Sequence, residues 1–255
     1  MIGIVGCGHV GSAMKKLFEN AKVYDKYLSI GTHDDINNCD VAFVCVPTPM
    51  GEYGECDTSY VDEVLEWVLA DVVVIRSTVP VGYTEKKCQE LNKKIIFQPE
   101  YYGETPNHPL ADLKKRNWIV LGGNRKYMAK VIEAYKTVYT ADIHIMKVDS
   151  NVAELAKYME NAYLATKVTF CNEFYDIANA YNVDYDVLRE VWLMDPRINS
   201  SHTFVYENDR GYAGSCFPKD MNAISYIAKQ KGINCDLLDG VIAKNEKLRK
   251  LKHEL

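Results

Sequence analysis

No apolar run in this 255-residue sequence reaches the roughly 18–20 residues that a membrane-spanning helix needs. No block of Lys or Arg breaks a mildly acidic composition. The 30 basic and 35 acidic residues give a formal charge of −5, so the chain offers nucleic acid no basic face. No two of the 8 cysteines form a C-x-x-C pair. Several, Cys45 among them, lie inside apolar runs, which excludes a zinc frame or a disulfide scaffold and fits reduced cytosolic thiols. Met1-Ile2-Gly3-Ile4-Val5 enters a strand pattern with no basic leader or cleavage site, so the expected location is the cytoplasm. Internal repeats and low-complexity segments are absent. What remains is an ordinary globular composition, 47% apolar and 25% charged. Its length is one at which a single core gives way to two domains.

Short apolar runs at residues 2–5, 22–24, 41–46, 72–76, 94–97, 118–121 and 143–146 read as strands. Amphipathic stretches at 10–20, 59–69, 84–92 and 125–139 separate them. Alternation of this kind predicts a parallel sheet covered by helices, and unbroken apolar strands predict burial on both faces. The character changes near residue 148. Residues 151–181 hold neither Pro nor Gly, and Leu155, Tyr158, Met159, Ala162, Ala165 and Val168 recur at helical spacing. That predicts one helix of about 45 Å at 1.5 Å per residue. Further helices are expected at 185–193, 218–231 and 235–251, with a turn-rich loop at 195–216. The expected organisation is a dinucleotide-type α/β domain over 1–147 and an all-helical domain over 148–255.

Gly6-Cys7-Gly8-His9-Val10-Gly11 follows the first strand and opens a helix. Gly6 allows a tight turn, Gly8 admits a pyrophosphate to the backbone, and Gly11 lets helix and strand pack closely. Asp25 ends the second strand, where an acid accepts hydrogen bonds from the adenosine ribose and favours NAD over NADP. The pattern defines a doubly wound sheet of Rossmann type. Its alternative is a glycine turn with Asp25 as a loop residue. Val46-Pro47-Thr48-Pro49 and Ser77-Thr78-Val79-Pro80-Val81-Gly82 each follow a buried strand. Ligands lie beyond such strand ends in open α/β sheets, so Thr48 and Thr78 are candidates to face the cofactor. Equally, these are turns stiffened by Pro.

Three further groups carry chemistry. Glu100 and Glu104, four apart after the fifth strand, suit acid–base work or belong to a solvated acidic loop. Lys157 and Asn161, also four apart, place an ammonium and an amide side by side on the long helix, where they either steady a developing oxyanion or face water. Gly211-Tyr212-Ala213-Gly214-Ser215-Cys216-Phe217-Pro218-Lys219-Asp220 runs a glycine-rich loop into a helix start. A thiol there is favoured as thiolate, Lys219 pushes the same way, and Asp220 lies one turn on. Cys216 is thus a candidate nucleophile, or else a small buried hydrophobe. No metal site is expected.

Taken in order, these segments resemble the UDP-glucose/GDP-mannose dehydrogenase family over nearly the whole chain. The 211–220 segment is similar to its active-site signature and 154–167 to its central helix, while Ser77–Gly82 and Gln98-Pro99-Glu100 resemble its cofactor and substrate loops. The resemblance implies two successive NAD-dependent oxidations of a sugar C6 alcohol, with UDP-glucose the expected substrate, through a thiohemiacetal and a thioester on Cys216. It implies oxyanion contacts from Lys157 and Asn161 and proton or water handling by Asp220 and Glu100. Glu104, Thr78 and Lys219 would contact cofactor or substrate. Tyr101, Tyr102, Arg197, Tyr212 and Gly214 would line the substrate region. The family continues into a third, nucleotide-binding α/β domain that the sequence does not contain, so a separate partner supplying it is one expectation. Two other readings stand beside this one. The first is a two-electron β-hydroxyacid-type dehydrogenase, against which Cys216 argues. The second is a catalytically incomplete NAD-binding subunit. The apolar surface of so long a helix predicts a homodimer built on the helical domain.

Overall fold

The structure is a computed structural model that describes residues 1–102, 110 and 112–251. Among these, the strands are β1 (Ile2–Val5), β2 (Lys22–Tyr24), β3 (Val41–Val44), β4 (Val72–Ile75), β5 (Ile95–Phe97), β6 (Trp118–Gly123) and β7 (His144–Val148). They form a seven-stranded sheet in the order β2-β1-β3-β4-β5-β6-β7. The helices are α1 (His9–Leu17), α2 (His33–Asn37), α3 (Ser59–Trp67), α4 (Tyr83–Leu91), α5 (Arg125–Lys136), α6 (Ser150–Ala180), α7 (Tyr185–Trp192), α8 (Phe217–Gln230) and α9 (Asp236–Leu251). No helix of the described residues is long and apolar enough to cross a membrane.

The chain divides into two compact units. One comprises Met1–Pro49 with Cys56–Lys157, the other Met50–Glu55 with Tyr158–Leu255. In the first unit every residue of β3 is buried, because both faces of the sheet are covered. Val41 and Phe43 pack with Met14, Leu17, Met128 and Tyr135 from α1 and α5. Ala42 and Val44 pack on the opposite face with Ile36, Val61 and Leu65 from α2 and α3. The register is continuous from Ile4↔Val23 and Ile4↔Phe43 across to Phe43↔Val74.

The expectation of a parallel sheet needs one correction. β5 and β6 pair antiparallel, through Ile96↔Gly123 and Phe97↔Gly122, and β7 then pairs parallel to β6. A parallel neighbour requires a crossover that returns the chain to the starting edge. The described part of the 98–117 connection carries only the short 3₁₀ turn Leu113–Lys115, so β6 starts at the edge where β5 ends. Helix α2 is also absent from the sequence expectation. Its signal is a capping box: the Thr32 hydroxyl accepts from the Asp35 N–H while the Asp35 carboxylate accepts from the Thr32 N–H.

In the second unit, Ala162 and Ala165 of α6 pack with Tyr212, Met221 and Val241. Further along, Cys171 and Ala178 pack with Tyr185. Polar anchors hold the 193–216 loop to the helices. The Arg189 Nε donates to the Thr203 hydroxyl at 2.7 Å, and the Tyr185 hydroxyl donates to the Thr203 carbonyl at 2.9 Å. Arg210 reaches both Asn172 and Asp176.

Candidate active site

The first unit carries a nucleotide cradle. Gly6 turns the chain at φ +88°, a conformation that costs glycine little, and a Cβ there would stand 2.8 Å from the Cys45 carbonyl oxygen. A Cβ on Gly11 would stand 1.8 Å from the Gly6 carbonyl oxygen, so only glycine lets α1 start this close to the strand. Around Gly8 a Cβ would meet nothing within 4 Å, which leaves open space over the first turn of α1. Gly8 is the N-cap and provides no side-chain acceptor, so the positive end of the α1 dipole faces this open space. The His9 ring meets the Tyr102 ring at 4.6 Å, tilted by 52°, and Val10 packs on the core.

Asp25 is held rigidly. Its Oδ2 accepts from the Cys7 N–H at 2.7 Å and its Oδ1 from the Tyr27 and Leu28 N–H groups at 2.9 Å each. Partial burial pushes its pKa up, but the three backbone donors outweigh this, so it lies below the usual carboxylate range. A small cleft brings together Gly6, Asp25, Val46 and Pro47 with the aromatic rings of Tyr24, Tyr60 and Trp67. Tyr24 and Trp67 meet edge to face at 5.2 Å. An open glycine cradle, a helix start and a fixed acid at the end of β2 fit a dinucleotide. Thr48 and Ser77 are buried, and the Ser77 hydroxyl donates to the Val46 carbonyl at 2.6 Å, tying the two loops together. Thr78 is half-buried, and its carbonyl accepts from the Cys56 thiol.

Two sequence expectations change here. Glu100 is not an open acid or base. It is buried against Arg76 and Arg116, the second at 3.2 Å, and its Oε1 also accepts from the Tyr101 and Tyr102 N–H groups. With three donors on Oε1 and Arg76 against Oε2, it positions its own loop and has little freedom to move a proton. Glu104, its expected partner, lies outside the described residues. The second change concerns Lys157 and Asn161, each of which has a further partner of its own. The Lys157 ammonium sits 5.1 Å over the Tyr101 ring, and Tyr101 in turn packs on Trp118.

The Asn161 amide donates to Asp220 Oδ2 at 2.5 Å, within the second unit. Asp220 is 1% exposed, and Lys219 binds its other oxygen, so Lys219 serves this carboxylate. One turn earlier, Cys216 is the N-cap of α8 and is exposed. The Cys216 side chain makes no capping hydrogen bond, so a thiolate there would meet the positive end of the helix dipole. Pro218 stands in the first turn, where its missing N–H costs nothing. Tyr212 departs from expectation: its ring is buried in the helical core, and its backbone is clamped by Asn245 through both N–H and carbonyl. Gly214 adopts φ +82° beside open space. Arg197 is exposed and folds back on Asp195.

Glu154 and Arg76 were missed by sequence reasoning. Glu154 is fully buried on α6, and its two oxygens accept from the Gly82 and Thr84 N–H groups at the start of α4, at 2.6 and 2.9 Å. Its signal was a charged residue at an apolar position of the long-helix pattern. Arg76 directly follows β4 and its apolar run, and an arginine there signals a buried partner.

A seven-stranded Rossmann-type sheet with this glycine cradle and fixed acid, joined to a long helix, defines an NAD-dependent oxidoreductase architecture. The NAD-binding domain of the UDP-glucose/GDP-mannose dehydrogenase family matches residues 13–143, and that family's central domain matches residues 151–247. The chain belongs to the UDP-glucose/GDP-mannose dehydrogenase family. It is 29% identical over 238 residues to the UDP-glucose 6-dehydrogenase of Pseudomonas aeruginosa, covering 87% of this chain and 51% of that protein. It is 31% identical over 228 residues to the UDP-glucose 6-dehydrogenase TuaD of Bacillus subtilis, covering 84% of this chain and 48% of that protein. The chain therefore spans about half the length of the curated relatives it matches. Among solved structures, the UDP-glucose dehydrogenase of Pyrobaculum islandicum superposes with a TM-score of 0.83 at 26% identity, over 96% of this chain and 68% of that one.

Proposed function

We propose that this chain oxidises the C6 alcohol of a nucleotide sugar, UDP-glucose in the first instance, to the carboxylate in two NAD-dependent steps. The reading rests above all on Cys216, an exposed thiol at the N-terminus of α8, one turn from a buried carboxylate. NAD bound at the glycine cradle supplies the hydride acceptor for both steps. Gly6, Gly8, Gly11 and Asp25 hold it, with Val46, Pro47 and Thr48 beside the cleft. The first oxidation turns the alcohol into an aldehyde. The Cys216 sulfur then adds to the aldehyde carbon, forming a C–S bond and a hydroxyl. Loss of a second hydride and a proton from that thiohemiacetal leaves a thioester. Water attacks the thioester carbon, the C–S bond breaks, and carboxylate and thiol are released. Overall, one alcohol, two NAD and one water give one carboxylate, two NADH and three protons.

Lys157 is the cation assigned to the oxygen that develops negative charge, and its seat over Tyr101 restricts where the ammonium can go. Asp220, fixed by Asn161 and Lys219, is assigned to orient the hydrolytic water. Arg197 and the Gly211–Gly214 turn are assigned to the substrate. Glu100 and Tyr212 act by shaping the loops that carry their neighbours.

Self-association through α6 belongs to the same reading. Leu155, Met159, Tyr163, Phe170, Phe174 and Ile177 are exposed and recur every three, four or seven residues along the helix, with Tyr181 just past its end, an apolar stripe suited to a second copy of the chain. The decisive experiment counts NADH formed per UDP-glucose consumed. Two per sugar, with none of the carboxylate formed by Cys216→Ser, is the expected result. One per sugar, with the Cys216→Ser variant unaffected, moves the chain to two-electron alcohol oxidation.

A further inference from the structure

Lys26 follows the ribose acid Asp25 directly, and its ammonium is already engaged. It meets the Glu63 carboxylate of α3 at 2.6 Å. Both residues line the cleft that holds Gly6, Asp25 and Trp67, and both side chains are about half exposed, at 57% and 48%. Among the described residues lining this cleft, Lys26 is the cation, and Asp25 and Glu63 are the carboxylates. A dinucleotide with a free 2′-hydroxyl needs only the acceptor that Asp25 provides. A 2′-phosphorylated dinucleotide brings about two negative charges to the same place and needs a cation there. Lys26 is the residue positioned to provide one, but Glu63 holds its ammonium and leaves the cleft with a net negative charge. Asp25 cannot swing aside to relieve the repulsion, because three backbone N–H groups fix both of its oxygens.

We propose that Glu63 is a specificity-determining residue that excludes 2′-phosphorylated dinucleotides by capturing Lys26, so that selection for NAD is made by the Lys26–Glu63 pair together with Asp25. The pair lies at the surface and contributes little to folding, so both partners can be replaced in a folded protein. Glu63→Gln releases the ammonium and removes one of the two carboxylates.

The test measures dissociation constants for NADH and NADPH directly, by the change in nicotinamide fluorescence on binding, with NADPH also titrated as a competitor of bound NADH. Binding requires no turnover, so the test stands whatever the outcome of the catalytic proposal. In Glu63→Gln the NADPH constant is expected to fall about tenfold, the effect of one charge released and one removed in a partly screened cleft, while the NADH constant stays within about twofold. In Lys26→Gln the NADPH constant rises. In the double variant the gain from Glu63→Gln shrinks to about threefold or less, because no ammonium is left to release. An unchanged NADPH to NADH ratio in Glu63→Gln overturns the proposal. So does an equal gain with and without Lys26, which would reduce Glu63 to one charge among many.

Discussion

Removing the carboxylate of Glu154 should loosen the start of α4 by an amount the structure sets. Gly82 is the N-cap of that helix, sits at φ +91° and has no side chain with which to cap it. Glu154 caps it from α6, one oxygen to the Gly82 N–H and the other to the Thr84 N–H, with no exposure to solvent. Glu154→Gln keeps one acceptor and turns an NH2 toward the second N–H. One buried donor is then unpaired, which costs about 1–3 kcal/mol. At about 2 kcal/mol the melting temperature falls by roughly 4–8 °C for a chain of this size. Glu154→Ala unpairs both donors and opens a cavity, so its loss is about twice as large.

The pH dependence separates this account from generic damage. Burial is the largest influence on Glu154 and raises its pKa, against the lowering by its N–H donors. A carboxyl whose folded pKa lies above its unfolded value of about 4.3 adds stability that is complete below that value. The contribution is lost as pH rises through the folded pKa. The glutamine variant has no such titration, and all other groups cancel in the difference. The gap between wild type and Glu154→Gln is therefore widest at the acid end and narrows toward neutrality. Thermal unfolding followed by circular dichroism at pH 5, 6, 7 and 8 measures it. A gap under about 1 °C throughout, or one that widens with pH, refutes the reasoning.

Three other outcomes are expected. Gly11→Ala drives a Cβ into the Gly6 carbonyl, so it should weaken NADH binding at least about tenfold and cost about 1–3 kcal/mol, read by titration and unfolding. Asp25 has a lowered pKa, so what its charge contributes to NADH binding is complete above its unfolded value of about 3.9 and disappears only as pH falls through the lower, folded value. Affinity should accordingly be flat from pH 8 to pH 5, and a titration centred near pH 6 would move the ribose contact to another group. Met159→Glu places a charge in the middle of the apolar stripe on α6, and sedimentation velocity should show the proposed dimer replaced by monomer with secondary structure unchanged.

Local order in the chain was sufficient for most of the elements and for the glycine cradle. Periodicity marked α6 because thirty residues without Pro or Gly admit one regular backbone. The Gly6, Gly8 and Gly11 spacing marked the cradle because Gly6 and Gly11 answer close approaches and Gly8 leaves the turn open, all within six residues. Cys216 was legible for the same reason, since a helix start is a local event. Tertiary structure alone decided the direction of β6, because no nearby residue specifies whether a crossover returns the chain. It decided that Glu100 belongs to Arg76 and Arg116, that the Asn161 amide donates to Asp220 and that the Lys157 ammonium lies over Tyr101. Glu154 capping a helix some 70 residues earlier in the chain, and Glu63 capturing Lys26, were likewise visible only in the fold. A buried charge must find a partner wherever the fold brings one, and sequence spacing carries no record of which distant residue that is.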